Sequence, residues 1–140
     1  MNLDNMAKEL LFCLGAFQKV FSEKAQNISQ GEIGMLVYFS EHHSQVTPTE
    51  LSLILDLSTA RVANTLNSLE KKGFIRRIHD SSDRRKVFVE MTDLGQEEAD
   101  HRFNEAISNL KLLLTHLGDK DANEYLRLIK KVTLFMSQEI

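Results

Sequence analysis

The sequence predicts a mostly α-helical protein with one small β-hairpin. Apolar residues recur at steps of three and four along several long segments, a spacing typical of amphipathic helices. The 140 residues include one proline and six glycines, so few positions interrupt these segments. Two short runs, residues 74–78 and 87–91, are rich in β-branched and aromatic residues and flank a polar connection, which indicates a hairpin with a long tip.

The first segment, residues 3–21, is predicted to form a helix with a wide apolar face. Its main stripe comprises Leu3, Met6, Leu10, Leu14, Phe17 and Phe21, and it is widened by Leu11, Phe12, Cys13 and Val20. A helix that is apolar on more than one face is either deeply buried or paired with another subunit. Because so small a protein offers little interior, we interpret residues 1–28 as an N-terminal dimerisation helix.

Two capping boxes mark the starts of the next two helices. Ser29 and Glu32 have the spacing of the first box, and Thr47 and Glu50 form the second, with Pro48 at the first helical position. The apolar residues expected to face the core are Ile33, Leu36, Val37 and Phe39 in the first helix and Leu51, Ile54 and Leu55 in the second.

A further helix is predicted from an N-cap at Ser58 to Lys72, and Gly73 is the residue type expected just past a helix end. Two helices joined by a short turn match a helix-turn-helix, whose second helix enters the major groove. The apolar face of this second helix comprises Val62, Leu66 and Leu69, and the polar residues largely off it are Thr59, Arg61, Asn64, Thr65 and Ser68. Since any surface helix is polar outside, this pattern alone leaves a plain surface helix open.

Beyond the hairpin, Thr92 is predicted to cap a long helix that ends near residues 117–118, and Asp119 starts the last helix. Their expected core faces comprise Ala99, Phe103, Ile107, Leu110 and Leu114 in the first and Tyr125, Leu128, Ile129, Val132 and Phe135 in the second. We interpret residues 99–140 as C-terminal dimerisation helices and residues 29–98 as a winged helix-turn-helix domain.

The distribution of charge favours a nucleic-acid partner. The chain has a net charge of −3, yet residues from Ser58 to Glu90 include eight basic and four acidic side chains, so the rest of the chain is strongly acidic. A local basic surface on an acidic body is typical of a site-selective DNA-binding protein. The alternative is a solvated charged face without a ligand.

The predicted DNA-binding residues of the second helix follow from their hydrogen-bonding groups. Arg61 can bind guanine through two hydrogen bonds, and Asn64 can pair with adenine. The hydroxyl-bearing residues Thr59, Thr65 and Ser68 can reach bases or phosphates, and the helix N-terminus at Ser58 can itself donate to a phosphate.

The hairpin tip is predicted to contact DNA through Asp83, Arg84, Arg85 and Lys86. An arginine inserted into a narrow minor groove gains from the negative potential there. Asp83 could hold one of the neighbouring guanidinium groups in place through a carboxylate pair. The alternative interpretation is a solvated loop whose charges serve solubility, and the adjoining helix pair favours DNA.

The segment from Leu51 to Gly95 resembles the signature of the MarR (multiple antibiotic resistance regulator) family. The specific pieces are the sequences LEKKGFI at 69–75, Asp83-Arg84-Arg85 in the wing, and TDLG at 92–95. Met91 departs from the leucine usual in the family, which is a conservative change for packing. The order of helices along the whole chain also resembles the family.

The resemblance implies a homodimeric transcriptional regulator, usually a repressor, that is released from DNA by a small molecule, a metal or an oxidant. It implies that Arg85 is the residue that enters the minor groove. The expected partners are therefore double-stranded DNA, a second copy of the chain and a small-molecule effector. The alternative from another class is a helical dimer module that binds a protein or small molecule without binding DNA.

Other chemistry is not expected. The single cysteine, Cys13, is a candidate redox sensor, but no basic residue adjoins it, so we expect a buried, inert thiol. The histidines have no spacing typical of a zinc site. Ser58, His79 and Asp80 do not make a convincing catalytic triad, because a cap and a hairpin explain them better. We therefore expect a cytoplasmic non-enzyme with no cofactor, no bound metal and no membrane segment.

Overall fold

The structure is a computed structural model, and it describes residues 2–24 and 30–139. The elements within these residues are α1 (Leu3–Lys24), α2 (Gln30–Glu41), α3 (Pro48–Ile54), α4 (Thr59–Lys71), β1 (Ile75–His79), β2 (Val87–Met91) and α5 (Asp93–Glu139). The strands are antiparallel, and Ile75 pairs with Met91. The fold is therefore mostly α-helical with one hairpin, as predicted. It divides into two compact units, the first ending at Gln96 and the second beginning at Glu97.

The core of the first unit lies where α2, α3 and α4 meet the hairpin. The segment before α3 adds to the sheet, because the Val46 N–H donates to the Val89 carbonyl (3.2 Å) and the Val89 N–H donates back (2.7 Å). Burying one large apolar side chain contributes about 1.5–3 kcal/mol. The buried apolar residues are Met35, Leu36, Phe39, Val46, Leu51, Val62, Leu66, Leu69, Ile75 and Val89.

The predicted buried face of α4 is confirmed, since Val62, Leu66 and Leu69 are each at most 1% exposed. The corresponding prediction for α3 is right for Leu51 and wrong for Ile54, which is 53% exposed. Ile54 is the last residue of this seven-residue helix, where α3 gives way to the turn that leads to α4.

The predicted helix starts are confirmed where the structure describes them. Thr47 Oγ1 accepts from the Glu50 N–H (3.2 Å), and the Glu50 carboxylate accepts from the Thr47 N–H (2.9 Å), which completes the capping box. Ser58 Oγ accepts from the Arg61 N–H at the start of α4 (3.2 Å). The capping box predicted at Ser29 lies outside the described residues.

The turn between α3 and α4 is tight and closed by its own hydrogen bonds. Asp56 has a φ of 51°, in the left-handed region that aspartate enters more readily than most residues. The Leu57 N–H donates to the Ser52 carbonyl (3.1 Å), and Ser52 Oγ donates to the Leu57 carbonyl (2.6 Å). These contacts fix the angle at which α4 leaves α3.

A second junction ties the end of α4 to the start of α5 through Thr92. Its hydroxyl donates to the Gly73 carbonyl (2.6 Å) and accepts from the Gly95 N–H (3.0 Å). Gly73 has a φ of 80°. Glycine adopts this left-handed conformation without steric cost because it has no Cβ, so α4 can end abruptly here. A Cβ on Gly95 would overlap the carbonyl oxygen of Phe74, so α5 begins in close contact with the backbone that leads into β1.

Helix α5 contains one break, at Gly118 (φ 75°, ψ 165°), where the sequence predicts the change from one helix to the next. The second unit therefore consists of two helical segments on either side of this glycine. No described helix has both the length and the apolar character needed to cross a membrane.

Much apolar surface on α1 and α5 is exposed in the single chain. Leu11 and Phe12 of α1 are 73% and 79% exposed, and Phe103 and Phe135 of α5 are 67% and 63% exposed. The residues expected to face a core in the two C-terminal segments are thus open to solvent. Exposed apolar surface of this extent is typical of an interaction site.

We predict that Gly95→Ala lowers the free energy of unfolding by about 1–3 kcal/mol, because the new methyl group overlaps the Phe74 backbone. Gly34→Ala is the matched control. Its Cβ would meet nothing within 4 Å among the described atoms, so this change inside α2 should stabilise by about 0.5–1 kcal/mol. Urea unfolding at equal protein concentration measures both, and equal effects would contradict the close contact at Gly95.

Candidate nucleic-acid interface

The first two turns of α4 carry most of the side chains that the sequence predicted to contact DNA. Thr59, Arg61 and Asn64 are exposed, and Ser58 begins the helix. Thr65 is half-buried, and its hydroxyl donates to the Arg61 carbonyl within the helix (2.8 Å). Thr65 therefore offers its methyl group and its remaining acceptor capacity to a ligand.

Ser68 has a different environment from the one predicted. It is half-buried, and its Oγ donates to Oε1 of Glu32 in α2. This hydroxyl therefore holds two helices together, because α4 lies against α2 at this turn. The prediction that Ser68 lies off the packed face of α4 is corrected accordingly.

Glu32 is a residue whose role the sequence did not indicate. It is 5% exposed, and its Oε2 lies 2.8 Å from Lys72 Nζ at the end of α4. A capping box was the only signal at this position, and it gave no reason to expect a contact with residues 36 and 40 positions away. Only packing of α2 on α4 brings these groups together.

The two arginines of β1 are also held by acidic partners. Arg76 forms an ion pair with Glu90 on the neighbouring strand, and Gln45 donates to the same carboxylate (3.2 Å). Arg77 contacts α4 through Glu70 (2.8 Å) and Asn67 (2.8 Å). These arginines stabilise the hairpin and its attachment to α4.

The hairpin tip is shaped by two aspartates. Asp80 Oδ1 accepts from the backbone N–H (3.0 Å) and the hydroxyl (2.9 Å) of Ser82, and the Asp80 N–H donates to the Lys86 carbonyl (3.0 Å). Asp83 Oδ1 accepts from the backbone N–H of Arg85 (3.0 Å). The tip is therefore an ordered turn rather than a plain loop of charges.

The bond made by Asp83 corrects the expectation of a carboxylate–guanidinium pair. Over the described residues, Asp83 forms no ion pair with Arg84 or Arg85. Asp83 instead fixes the backbone from which the Arg85 side chain leaves, and it leaves both guanidinium groups free of a carboxylate partner.

The basic residues from Ser58 to Glu90 fall into two groups. Three basic residues form ion pairs: Lys72 with Glu32, Arg76 with Glu90, and Arg77 with Glu70. Five are exposed and have no ion-pair partner in the described part of the chain: Arg61, Lys71, Arg84, Arg85 and Lys86. The excess positive charge is therefore concentrated on α4 and the hairpin tip.

Two carboxylates of the hairpin have lowered pKa values. The pKa of Glu90 is lowered first by the hydrogen bond from Gln45 and then by the one from Arg76. The pKa of Asp80 is lowered mainly by the backbone N–H of Ser82, with help from its hydroxyl and from the charge of Lys86. Both groups are therefore stabilised as anions by the folded hairpin.

A surface cleft of about 350 Å³ lies between the end of α2, the hairpin and the first turn of α5. The His42 ring stacks on Tyr38 (4.5 Å between centroids), which places it at the edge of this cleft. The lining residues are Phe39, His42, His43, Ser44, Arg76, Glu90, Met91, Thr92, Asp93 and Gln96.

Cys13 is exposed in the single chain, so the expectation of a buried thiol is wrong for the isolated subunit. The physical reason is that its neighbours on α1 are exposed as well, so the apolar sequence around it forms no interior here. Within the described ranges, no group of His, Cys, Asp and Glu side chains has a geometry suited to a metal ion.

The architecture defines a winged helix-turn-helix, with α3 and α4 as the helix pair and β1–β2 as the wing. Residues 28–87 match the MarR family model. The HTH-type transcriptional repressor YetL of Bacillus subtilis (strain 168) is 23% identical over 136 residues, covering 91% of this chain and 81% of that protein. Over the winged helix-turn-helix, the chain is therefore similar to MarR-family transcriptional regulators.

Solved structures agree with this fold. The crystal structure of MarR superposes with a TM-score of 0.70 at 20% identity, covering 94% of this chain and 98% of that one. The structure of FabT from Streptococcus pneumoniae in complex with DNA gives a TM-score of 0.68 at 18% identity, covering 99% and 97% of the two chains. The winged helix-turn-helix predicted from the sequence is thereby confirmed.

We predict that Glu90→Gln makes stability less dependent on pH below about 4.5. The folded-state pKa of Glu90 lies below its ordinary value of 4.5. Its contribution is therefore present above pH 4.5 and is lost as the pH falls through the folded-state value. Urea unfolding at pH 6 and pH 3 should show a smaller loss for the variant than for the wild type.

The control for this measurement is Glu41→Gln, which removes an exposed carboxylate that pairs with no other described residue. This variant should lose stability between the two pH values much as the wild type does. Equal pH dependence of all three proteins would show that the Gln45–Glu90–Arg76 contact does not stabilise the hairpin.

Proposed function

We propose that the protein represses transcription by binding a pseudo-palindromic operator as a homodimer, with α4 in the major groove and the wing in the minor groove. One observation carries the proposal: the exposed cations on α4 and the hairpin tip form no ion pair in the described chain, whereas three neighbouring cations do. Side chains that bind phosphates are expected to be free of internal partners before DNA arrives.

Base recognition would come from the first two turns of α4. The exposed guanidinium of Arg61 can donate two hydrogen bonds to guanine, and the amide of Asn64 can bind adenine. Ser58 and Thr59 lie at the helix N-terminus, where backbone N–H groups favour a phosphate. Thr65 would add a methyl contact. Ser68 is the least suited of the proposed residues, because its hydroxyl already donates to Glu32.

The wing would supply the second contact. Arg85 is the residue proposed for the minor groove, and Asp83 supports it by holding the backbone N–H of Arg85 (3.0 Å). Arg84 and Lys86 would neutralise phosphates on either side. An ordered tip reduces the entropy lost when these side chains bind.

Dimerisation is supported by the exposed apolar surfaces of α1 and α5. A second copy would cover them, and a two-fold symmetric dimer would place two α4 helices on consecutive turns of one face of DNA. DNA as the partner is supported by the related structure of FabT, which was solved in complex with DNA. The relative YetL is a transcriptional repressor.

Control by a signal is the remaining part of the proposal. An effector that binds the DNA-incompetent arrangement better than the competent one would release the operator. The cleft beside His42 is one place in the first unit with room for a small molecule. The alternative of a dimer module without DNA binding does not explain why five cations remain exposed and unpaired within the described chain.

We predict that Arg85→Ala weakens operator binding by about 1–3 kcal/mol, the range for losing an arginine contact to a base. The control is Arg127→Ala, which removes the same charge from a residue of the second unit that pairs with Glu124. A fluorescence titration over several salt concentrations should show a steep negative slope for the wild type. Wild-type affinity of the Arg85 variant would contradict the role of the wing.

We predict that the wild type sediments as a dimer and that Phe135→Glu shifts it towards monomer, because a charge would enter an apolar interface. Ser137→Glu, two residues later and on the opposite side of the helix, adds the same charge at a polar, exposed position and should remain dimeric. Analytical ultracentrifugation distinguishes these results. A monomeric wild type would remove the basis for a two-fold operator.

A further inference from the structure

Glu32 has the one buried charged side chain among those that the structure describes. It lies in the first turn of α2, and both of its carboxylate oxygens reach α4. Oε1 accepts from Ser68 Oγ, and Oε2 lies 2.8 Å from Lys72 Nζ. Taking a carboxylate out of water is costly unless it is paired and hydrogen-bonded, so this position requires its partners.

The two partners are spaced so as to fix α4 in two respects. Ser68 and Lys72 are four residues apart and therefore occupy adjacent positions on one face of the helix. One carboxylate that contacts both restricts rotation of α4 about its axis and sliding along it. The apolar contacts of Val62, Leu66 and Leu69 are less directional, since apolar cores tolerate repacking.

The same face of α4 continues to the proposed DNA contact. Arg61 is seven residues before Ser68, which is nearly two helical turns and leaves the two side chains at a similar angle around the axis. Glu32 thus holds the end of a stripe whose other end carries Arg61. A small rotation at Ser68 would redirect the Arg61 guanidinium away from its base.

We propose that Glu32 is a positioning residue that sets the orientation of α4 and thereby the half-site spacing that the dimer recognises. The inference rests on the proposed function, because it concerns how α4 is presented to DNA. An ion pair with one buried partner, here Glu32 at 6% side-chain exposure against 34% for Lys72, contributes little net stability compared with apolar packing, but it can specify one arrangement over others. In sequence, Glu32 also follows closely on the segment that leads from α1, the proposed dimerisation helix.

The test uses the duplex that the wild-type full-length chain selects from a random-sequence library, together with versions whose half-sites are moved apart or together by one or two base pairs. Glu32→Gln removes the charge while keeping the shape of the side chain. We expect the preference of this variant for the selected spacing over the shifted spacings to fall about tenfold, the effect of losing a charge-assisted hydrogen bond.

The matched control is Glu70→Gln. It removes the same charge from α4, where Glu70 forms an ion pair with Arg77 of β1. Its spacing preference should equal that of the wild type. Ser68→Ala and Lys72→Gln should each lower the preference, and combining Lys72→Gln with Glu32→Gln should add little, because both changes break one contact. Ser68→Ala also carries the test if Glu32→Gln fails to fold.

The outcomes separate the two proposals. If the wild type enriches no duplex, the proposed function fails before Glu32 is tested. If the wild type binds and Glu32→Gln, folded by circular dichroism and urea unfolding, keeps the wild-type spacing preference, the positioning role is overturned. A loss of affinity that is equal at every spacing also overturns it, because that result indicates a purely structural role.

Discussion

The arrangement of the first unit depends on the burial of one face of α4. Val62, Leu66 and Leu69 are almost completely buried, and they lie where α2, α3 and β1 converge. Because the apolar residues of a helix at this spacing share one side, burying them forces the remaining side chains outward. The exposure of Arg61 and Asn64 is therefore a direct consequence of how the core forms.

Electrostatic pairing then separates structural cations from those available to a ligand. The two arginines of β1 look equivalent to those at the hairpin tip in the sequence, but Arg76 and Arg77 face acidic partners across the sheet and on α4. The aspartates at the tip accept from backbone N–H groups instead of guanidinium groups. The guanidinium groups of Arg84 and Arg85 are thus left without an ion pair at the hairpin tip, as a wing that binds phosphates would require.

The long terminal helices differ from α4 because their apolar faces are not buried in the single chain. Their apolar residues have helical spacing, yet in the single chain Phe12 and Phe135 remain mostly exposed. Such helices are marginal by themselves, because most helical stability in proteins comes from packing an apolar face. A symmetric partner would supply that packing and would also fix the distance between two recognition helices, so that folding, assembly and operator geometry would be linked.

The sequence by itself determined the order of the elements, the caps at Thr47 and Ser58, the buried face of α4 and the break at Gly118, because these depend on residues close together in the chain. It also indicated the family resemblance and the segment proposed to contact DNA, but only as a pattern of residue types. The tertiary structure alone decided which polar groups meet, such as Glu32 with Ser68. Contacts between residues this far apart depend on helix packing, which local spacing does not encode.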